Sequence, residues 1–141
     1  PRWSPDNERI AFVSNNSGSV QIHMHWVDTG ETAVISQLQE SPSSLSWSPD
    51  GKCLAFTKRV KAETISLTKE RYKPDGASWA KKPITVTNTR YQYDGRGIVE
   101  PSYRHIFVVH AEGGSARQLT DGDFNHYGSL SWSNDSKNCL R

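Results

Sequence analysis

A pentapeptide built on Trp, Ser and Asp occurs three times in this 141-residue chain, and its spacing constrains the fold more than any other feature. It reads WSPDN at Trp3–Asn7, WSPDG at Trp47–Gly51 and WSNDS at Trp132–Ser136. An offset of 44 relates the first two copies as far as Phe56, whereas an offset of 84 relates them from Ile106 onwards. The two offsets differ by 40, so the second copy contains an insertion of that length, and the chain combines one ordinary repeat with one interrupted repeat.

Each copy predicts four short β-strands separated by turns. Runs rich in β-branched and aromatic residues, such as RIAFVS, QIHMHWVD and TAVIS, alternate with turn residues. In the pentapeptide, Pro presets φ for a turn and Gly51 supplies a left-handed residue, for which Asn7 and Ser136 substitute in the other copies. A four-stranded antiparallel unit that repeats about every 40–45 residues is typical of a propeller blade. The predicted class is therefore all-β: a partial β-propeller of about two four-stranded antiparallel blades.

The offsets also predict the bounds of the blades within one incomplete propeller domain. These are blade 1 at about residues 3–40, blade 2 at about 43–122 with its insertion at about 57–104, and the start of a third blade at 128–141. Closed propellers contain about four to eight blades. We therefore expect the chain to be part of a longer protein.

Composition excludes some classes of protein. Only 34% of residues are apolar, but five Trp, five Tyr and four Phe favour a folded chain over a disordered one. No run approaches about 18 apolar residues, so no membrane association is predicted. Cys53 and Cys139 stand six and seven residues after their tryptophans and would point to opposite faces of their strands. We predict unpaired thiols in a reducing compartment.

Two groups of side chains resemble metal ligands in type but not in number. His23 and His25 would share one face of a strand, but no third ligand lies near them in the sequence. We interpret them as the polar side of a half-buried strand. The segment Asp121–His126 reads DGDFNH, but a calcium loop needs an acidic residue at its twelfth position, which is Trp132. We interpret it as an inter-blade turn whose Asp side chains cap backbone N–H groups, with His126 hydrogen-bonded across blades, and predict neither a metal nor a cofactor.

The insertion differs in charge from the remainder of the chain. Between Thr57 and Arg104, eleven Lys and Arg outnumber five Asp and Glu, a net charge of +6 against −4 elsewhere. These basic residues are dispersed and no RNA-binding signature accompanies them, so no nucleic-acid partner is predicted. A basic arm that also carries aromatic residues could hold a peptide's terminal carboxylate and side chains. Tyr91, Tyr93 and Arg96 are the candidate substrate-gate residues; a purely structural arm is the alternative.

Two stretches carry a family resemblance. WSPDGKCLAF, from Trp47, resembles the TolB-like propeller repeat, which periplasmic TolB-type proteins share with the N-terminal propellers of the prolyl oligopeptidase family of serine peptidases. The stretch from Thr87 to His126, TNTRYQYDGRGIVEPSYRHIFVVHAEGGSARQLTDGDFNH, is similar to the interrupted blade of acylaminoacyl-peptidase or dipeptidyl-peptidase-like members. The resemblance covers essentially the whole chain.

The resemblance implies a two-part enzyme. In that family a propeller caps a C-terminal α/β-hydrolase domain of the same chain, whose Ser-His-Asp triad cleaves short peptides while the cap limits access. This sequence contains no G-x-S-x-G nucleophile motif, so we predict no catalytic residue within it and expect the hydrolase domain elsewhere in the chain. The predicted function is substrate gating in a cytoplasmic serine-type peptidase. The insertion could pack on the hydrolase domain or on a neighbouring subunit, which allows a homo-oligomer.

A second function remains open from the sequence. TolB-like propellers also act without catalysis, as protein-binding modules in the periplasm, and WSPDG occurs in both groups. The 40-residue basic insertion favours the peptidase, because a plain binding propeller does not need it.

Overall fold

A computed structural model describes residues 1–62, 72, 74–78, 92–95, 97–98 and 101–140. Within these residues all regular structure is β-strand, as predicted, and no helix has the length and apolar character needed to cross a bilayer. The chain forms two compact units. The first comprises Pro1–Val60 and Tyr103–Arg141, and the second comprises Lys61–Ser102.

The first repeat forms a four-stranded antiparallel sheet in which neighbours in sequence are neighbours in space. Its strands are β1 (Arg2–Trp3), β2 (Arg9–Ser14), β3 (Gln21–Trp26) and β4 (Thr32–Val34). The three runs named for the first copy are therefore confirmed as strands, and β1 is the fourth strand predicted for each copy. β1 ends at Trp3, where the chain enters the pentapeptide turn, and Trp3 pairs with Ile10.

The second repeat forms an equivalent sheet from strands on both sides of the second unit. The remaining strands are β5 (Ser43–Trp47), β6 (Cys53–Lys61), β7 (Gln92–Tyr93), β8 (Gly97–Ile98), β9 (Ser102–His110), β10 (Arg117–Gln118), β11 (Ser131–Trp132) and β12 (Cys139–Leu140). The second sheet has the order β5-β6-β9-β10, β7 and β8 form a hairpin in the second unit, and β11 pairs with β12. Trp132 pairs with Cys139, as Trp47 pairs with Leu54, so the third copy opens with the same register.

The pentapeptide forms the same hydrogen-bonded turn in all three copies, with its serine at the centre. In the second copy the Ser48 hydroxyl donates to Asp50 Oδ1 at 2.6 Å and accepts from the Cys53 N–H at 2.9 Å. Asp50 Oδ1 also accepts from the Lys52 N–H at 3.1 Å. Ser4 and Ser133 make the equivalent bonds in the other copies.

A left-handed residue closes each turn, as the sequence predicts. It is Asn7 at φ 61°, Gly51 at φ 68° and Ser136 at φ 60°. Glycine adopts this conformation without steric cost and Asn tolerates it, whereas Ser136 is strained. The pattern W-S-x-D-x is therefore a structural turn rather than a catalytic motif.

Both sheets of the first unit contribute to one hydrophobic core. Ile22, Met24, Leu54 and Phe56 are fully buried, and Phe56 stacks on Phe107 with ring centroids 5.8 Å apart. The rest of the cluster is Ala11, Ile35, Leu38, Leu45, Phe107, Val109 and Ala111. The two repeats therefore pack as adjacent blades, which is the partial β-propeller that the sequence predicts.

β3 departs from the half-buried strand expected from the sequence. His23 is only 6% exposed and stacks on Phe12 with centroids 5.4 Å apart, while its neighbours Ile22 and Met24 are buried on the other face. The interpretation of His23 as the polar side of a half-buried strand was wrong, because residues 21–24 of β3 are all buried and the Phe12 ring stacks on His23.

Candidate functional site

The substrate-gate candidates fall in the second unit, where few residues are described. Tyr91 and Arg96 lie outside the described residues, and Tyr93 lies in β7 without a described side chain. Residues 92–93 and 97–98 pair as the hairpin of β7 and β8, with a turn at Asp94–Gly95. Their role in gating stays a prediction.

The histidines of β3 do not come together with other ligands. The His25 Nδ1 atom is 2.9 Å from the Thr32 hydroxyl, and His23 is buried against Phe12. In the described part of the chain no group of three His, Cys, Asp or Glu side chains is arranged to hold a metal ion. Cys53 and Cys139 are both free thiols, and burial raises the pKa of each.

The segment DGDFNH is a turn anchored to its own blade. Asp121 Oδ1 accepts from the Gly122 N–H at 2.8 Å, as expected of a capping side chain. Asn125 accepts from the Arg104 N–H at 2.9 Å, and the His126 N–H donates to the Arg104 carbonyl at 2.8 Å. His126 therefore bonds to β9 of the second blade rather than across blades, because the segment folds back along that strand.

His105 is a structural residue, although it is buried near a hydroxyl. Its Nδ1 lies 3.4 Å from the Thr120 hydroxyl, which accepts from the Ile106 N–H at 2.9 Å. In the first blade Gln21 and Ser36 occupy the positions equivalent by the offset of 84, and the Ser36 hydroxyl accepts from Ile22 in the same way. Burial first, and the neighbouring His126 second, lower the pKa of His105. This favours the neutral imidazole of a packed residue.

The tryptophans of the second and third pentapeptides bond to the preceding repeat. Trp47 Nε1 donates to the carbonyl of Arg2 at 3.1 Å, and Trp132 Nε1 donates to the carbonyl of Ser46 at 3.3 Å. In both cases the acceptor is the residue directly before the preceding tryptophan. The first strands of successive repeats are therefore linked side by side.

Arg9 adds a second link between the first two repeats. Its guanidinium pairs with Asp6 at 2.9 Å, donates to the Gly51 carbonyl at 3.2 Å and lies 5.2 Å from the centre of the Trp47 ring. The Ser4 hydroxyl, the Glu8 N–H and then Arg9 lower the pKa of Asp6 to about 2. The contact joins the turn of one blade to the turn and tryptophan of the next.

A cleft of about 280 Å³ lies between the first strands of the first two copies and the segment that leads into the third, and we call it the repeat cleft. Arg2 and Trp3 of β1 line it together with Ser44, Leu45, Ser46 and Trp47 of β5 and the segment 128–130. Trp3 is 56% exposed. Arg2 and Ser44 also line an adjoining cavity with Phe12 and Val13.

A β-bulge shapes one wall of the repeat cleft. Ser43 pairs with Thr57 and Ser46 with Ala55, so two residues of β5 stand opposite Phe56 alone. One of the two, Ser44, has a φ of 55°, a left-handed conformation that serine rarely adopts. Bulges and strained residues of this kind are frequent at functional sites.

Sequence reasoning did not single out the repeat cleft, because its parts are ordinary residues far apart in the chain. One signal was present: the tetrapeptide SLSW occurs at Ser44–Trp47 and again at Ser129–Trp132, and both copies contribute to the cleft. The bulge at Ser44 depends on pairing with β6 and has no local sequence signature.

No family model matches the chain, but individual proteins do. The uncharacterized peptidase YuxL of Bacillus subtilis (strain 168) is 30% identical over 139 residues, which is 97% of this chain and 20% of that protein. The Tol-Pal system protein TolB of Alcanivorax borkumensis is 40% identical over 58 residues, which is 40% of this chain and 13% of that protein.

A solved structure has the same fold. The Pyrococcus horikoshii acylaminoacyl peptidase matches with a TM-score of 0.61 over 94% of this chain and 18% of its own, at 19% identity. The chain therefore spans about a fifth of the length of the peptidases that it matches.

Proposed function

We propose that this chain belongs to the cap of a serine-type peptidase. The premise is that the chain is a TolB-like β-propeller segment that matches peptidases of the prolyl oligopeptidase family. The cap restricts access to short, flexible peptides, and an α/β-hydrolase domain of the same protein cleaves them. The blades described above supply the cap and its repeat-to-repeat contacts. The chemistry lies in the hydrolase domain, because this sequence has no nucleophile motif.

The observation that carries the proposal is the extent of the match to a peptidase. The identity of 30% continues over 97% of the chain and so includes the insertion as well as both blades. A match confined to the pentapeptides would favour any TolB-like propeller equally. The insertion, whose net charge of +6 contrasts with the remainder, distinguishes this chain from a minimal repeat.

In this proposal Tyr91, Tyr93 and Arg96 of the insertion line the path by which peptides reach the hydrolase domain and contact their side chains. The protein acts in the cytoplasm, where Cys53 and Cys139 stay reduced.

Peptide size is the test. The full-length protein is assayed with a short N-blocked peptide and with casein, a long unfolded chain. We expect cleavage of the short peptide and little cleavage of casein. In Trp47→Ala, which loses the link to Arg2, we expect the casein rate to rise relative to the peptide rate, because the blades separate more readily.

Val34→Ala is the matched control, because Val34 lies on the outer strand β4 and is already exposed. It should leave the casein-to-peptide ratio unchanged. Absence of any peptide cleavage would overturn the peptidase proposal, and casein cleavage by the unmodified protein at a rate comparable to peptide cleavage would overturn the gating role.

The 40% identity with TolB over 58 residues supports a second candidate, a non-catalytic protein-binding propeller in the periplasm. Cell fractionation separates the two. Recovery of the full-length protein from the periplasm, together with no peptide hydrolysis, would favour the binding module.

A further inference from the structure

We infer that the repeat cleft binds the C-terminal carboxylate of a short peptide, with Arg2 as the cation that receives it. The inference rests on the proposed function, because it names the part of the peptide that this propeller segment holds. Nothing in the repeat contacts described above requires either an arginine or a cleft at this place, since Trp47 bonds to the backbone of residue 2 and not to its side chain.

The charge of the cleft favours an anion. Arg2 is the only charged side chain among the residues that line it, and no Asp or Glu lines it or the adjoining cavity. The Arg2 guanidinium has no hydrogen bond or ion pair with any described residue. By contrast Arg9, at the other end of the same hairpin, is fully engaged with Asp6 and Gly51. An unneutralised guanidinium is suited to a carboxylate because its donors match the two oxygens.

The bulge places further donors beside this cation. Ser44, Ser46 and Ser129 line the cleft, and the side chain of none of them makes a hydrogen bond to a described residue. Ser44 adopts its strained φ of 55° within the cleft itself. Uncommitted hydroxyls and a strained backbone at one place indicate a binding surface rather than a packing surface.

The walls favour a peptide end over a phosphate. Trp3 and Trp47 provide apolar surface next to the polar groups, and the volume of about 280 Å³ accommodates one or two residues. One arginine balances the single charge of a carboxylate. Phosphate groups with two charges usually meet several cationic or N–H donors.

The test measures binding by isothermal titration calorimetry to the full-length protein, inactivated beforehand with a serine-directed covalent inhibitor so that the N-blocked probes are not cleaved. The probes are acetyl-Ala-Phe with a free carboxylate and the same dipeptide as its C-terminal amide. We expect the free acid to bind at least about tenfold more tightly than the amide, and Arg2→Gln to remove most of that difference, as loss of a charge-assisted bond predicts. Arg2→Lys should restore it in part, because lysine keeps the charge but not the paired geometry.

Two arginines serve as controls. Arg117→Gln, on the exposed strand β10, should leave the preference unchanged. Arg96→Gln tests the rival location in the insertion. Equal binding of acid and amide, or a preference that disappears in Arg96→Gln and persists in Arg2→Gln, would overturn the inference. Because the probes are read by binding, a protein that hydrolyses no peptide but still binds the acid through Arg2 would refute the proposed function and leave this inference standing.

Discussion

The serine of the pentapeptide is the residue on which each turn depends. Ser48 is 1% exposed, and its single hydroxyl serves the Asp50 carboxylate and both backbone groups of Cys53. Alanine fits the space but cannot make these bonds, and it leaves a buried N–H without a partner. A buried unsatisfied group costs about 1–3 kcal/mol.

Ser48→Ala should therefore lower the free energy of unfolding by about 1–3 kcal/mol, measured by urea denaturation of the full-length protein. Ser115→Ala is the control, because Ser115 is exposed in a loop and has no side-chain bond among the described residues. Similar stabilities of the two variants would show that the hydroxyl of Ser48 contributes little.

The aspartate of the turn makes stability depend on pH. The Ser4 hydroxyl, the Glu8 N–H and Arg9 lower the pKa of Asp6 from 3.8 to about 2, and the serine hydroxyls of the other turns lower the pKa values of Asp50 and Asp135. A depressed pKa in the folded state stabilises the protein above the unfolded value, and that stabilisation is lost as the pH falls through the folded value.

Unfolding followed by circular dichroism should therefore show stability falling between about pH 4 and pH 2, with a smaller fall in Asp6→Asn. The asparagine can still accept from Ser4 and Glu8 but carries no charge to titrate. Asp28→Asn, in an exposed turn, should retain the full pH dependence. An identical slope in Asp6→Asn and the unmodified protein would contradict this assignment.

At the scale of elements, the pentapeptide turn sets the pairing of the strands on either side. The left-handed residue brings the chain back so that each tryptophan faces Ile10, Leu54 or Cys139 across the hairpin. An added Cβ at Gly51 would lie 3.4 Å from Arg9 Nη2, a tolerable distance, so the conformation rather than a clash requires glycine.

Gly51→Ala should lower the unfolding free energy by about 1–2 kcal/mol, because alanine is strained at a φ of 68°. The matched change in the first copy is Asn7→Gly, which meets the same backbone geometry with less strain and should be neutral or stabilising. Chemical denaturation checks both. The prediction fails if the two substitutions shift stability in the same direction by similar amounts.

The elements that could be predicted from the sequence were those whose sequence pattern occurs in more than one repeat. The strands of both blades and the left-handed turn residues follow from the offsets, because aligning the copies shows which residues occupy equivalent positions. The bulge at Ser44 and the burial of His23 could not be predicted, since each is decided by strands that pair from elsewhere in the chain. The repeat cleft was missed for the same reason: Arg2 and Ser129 meet only after the repeats have packed.

At the scale of the whole molecule, the tryptophan of one repeat donates a hydrogen bond to the backbone of the first strand of the preceding repeat. The indole N–H of Trp47 donates to the Arg2 carbonyl, the Arg9 guanidinium lies over the Trp47 ring, and Trp47 also packs against the hydrophobic core. Such contacts between neighbours usually decide the stability of a repeat protein, because each unit exposes faces that only the next unit covers.

Trp47→Phe should weaken the joint between the repeats while keeping most of the packing. Loss of the N–H leaves the Arg2 carbonyl without this donor, which costs about 0.5–1.5 kcal/mol. Hydrogen exchange should show reduced protection in β1 and β5. Trp26→Phe is the control, since Trp26 packs on the core and its indole makes no bond to the described residues. Equal loss of protection in β1 for both variants would rule out a specific joint.

The tryptophan bond has a consequence for how such proteins evolve. It joins the first strand of one repeat to the first strand of the next, and none of its atoms belongs to the strands between which the insertion leaves the blade. The length of chain between β6 and β9 can therefore change by tens of residues without altering the bond. Selection can vary that arm while the stacking of the repeats is inherited unchanged.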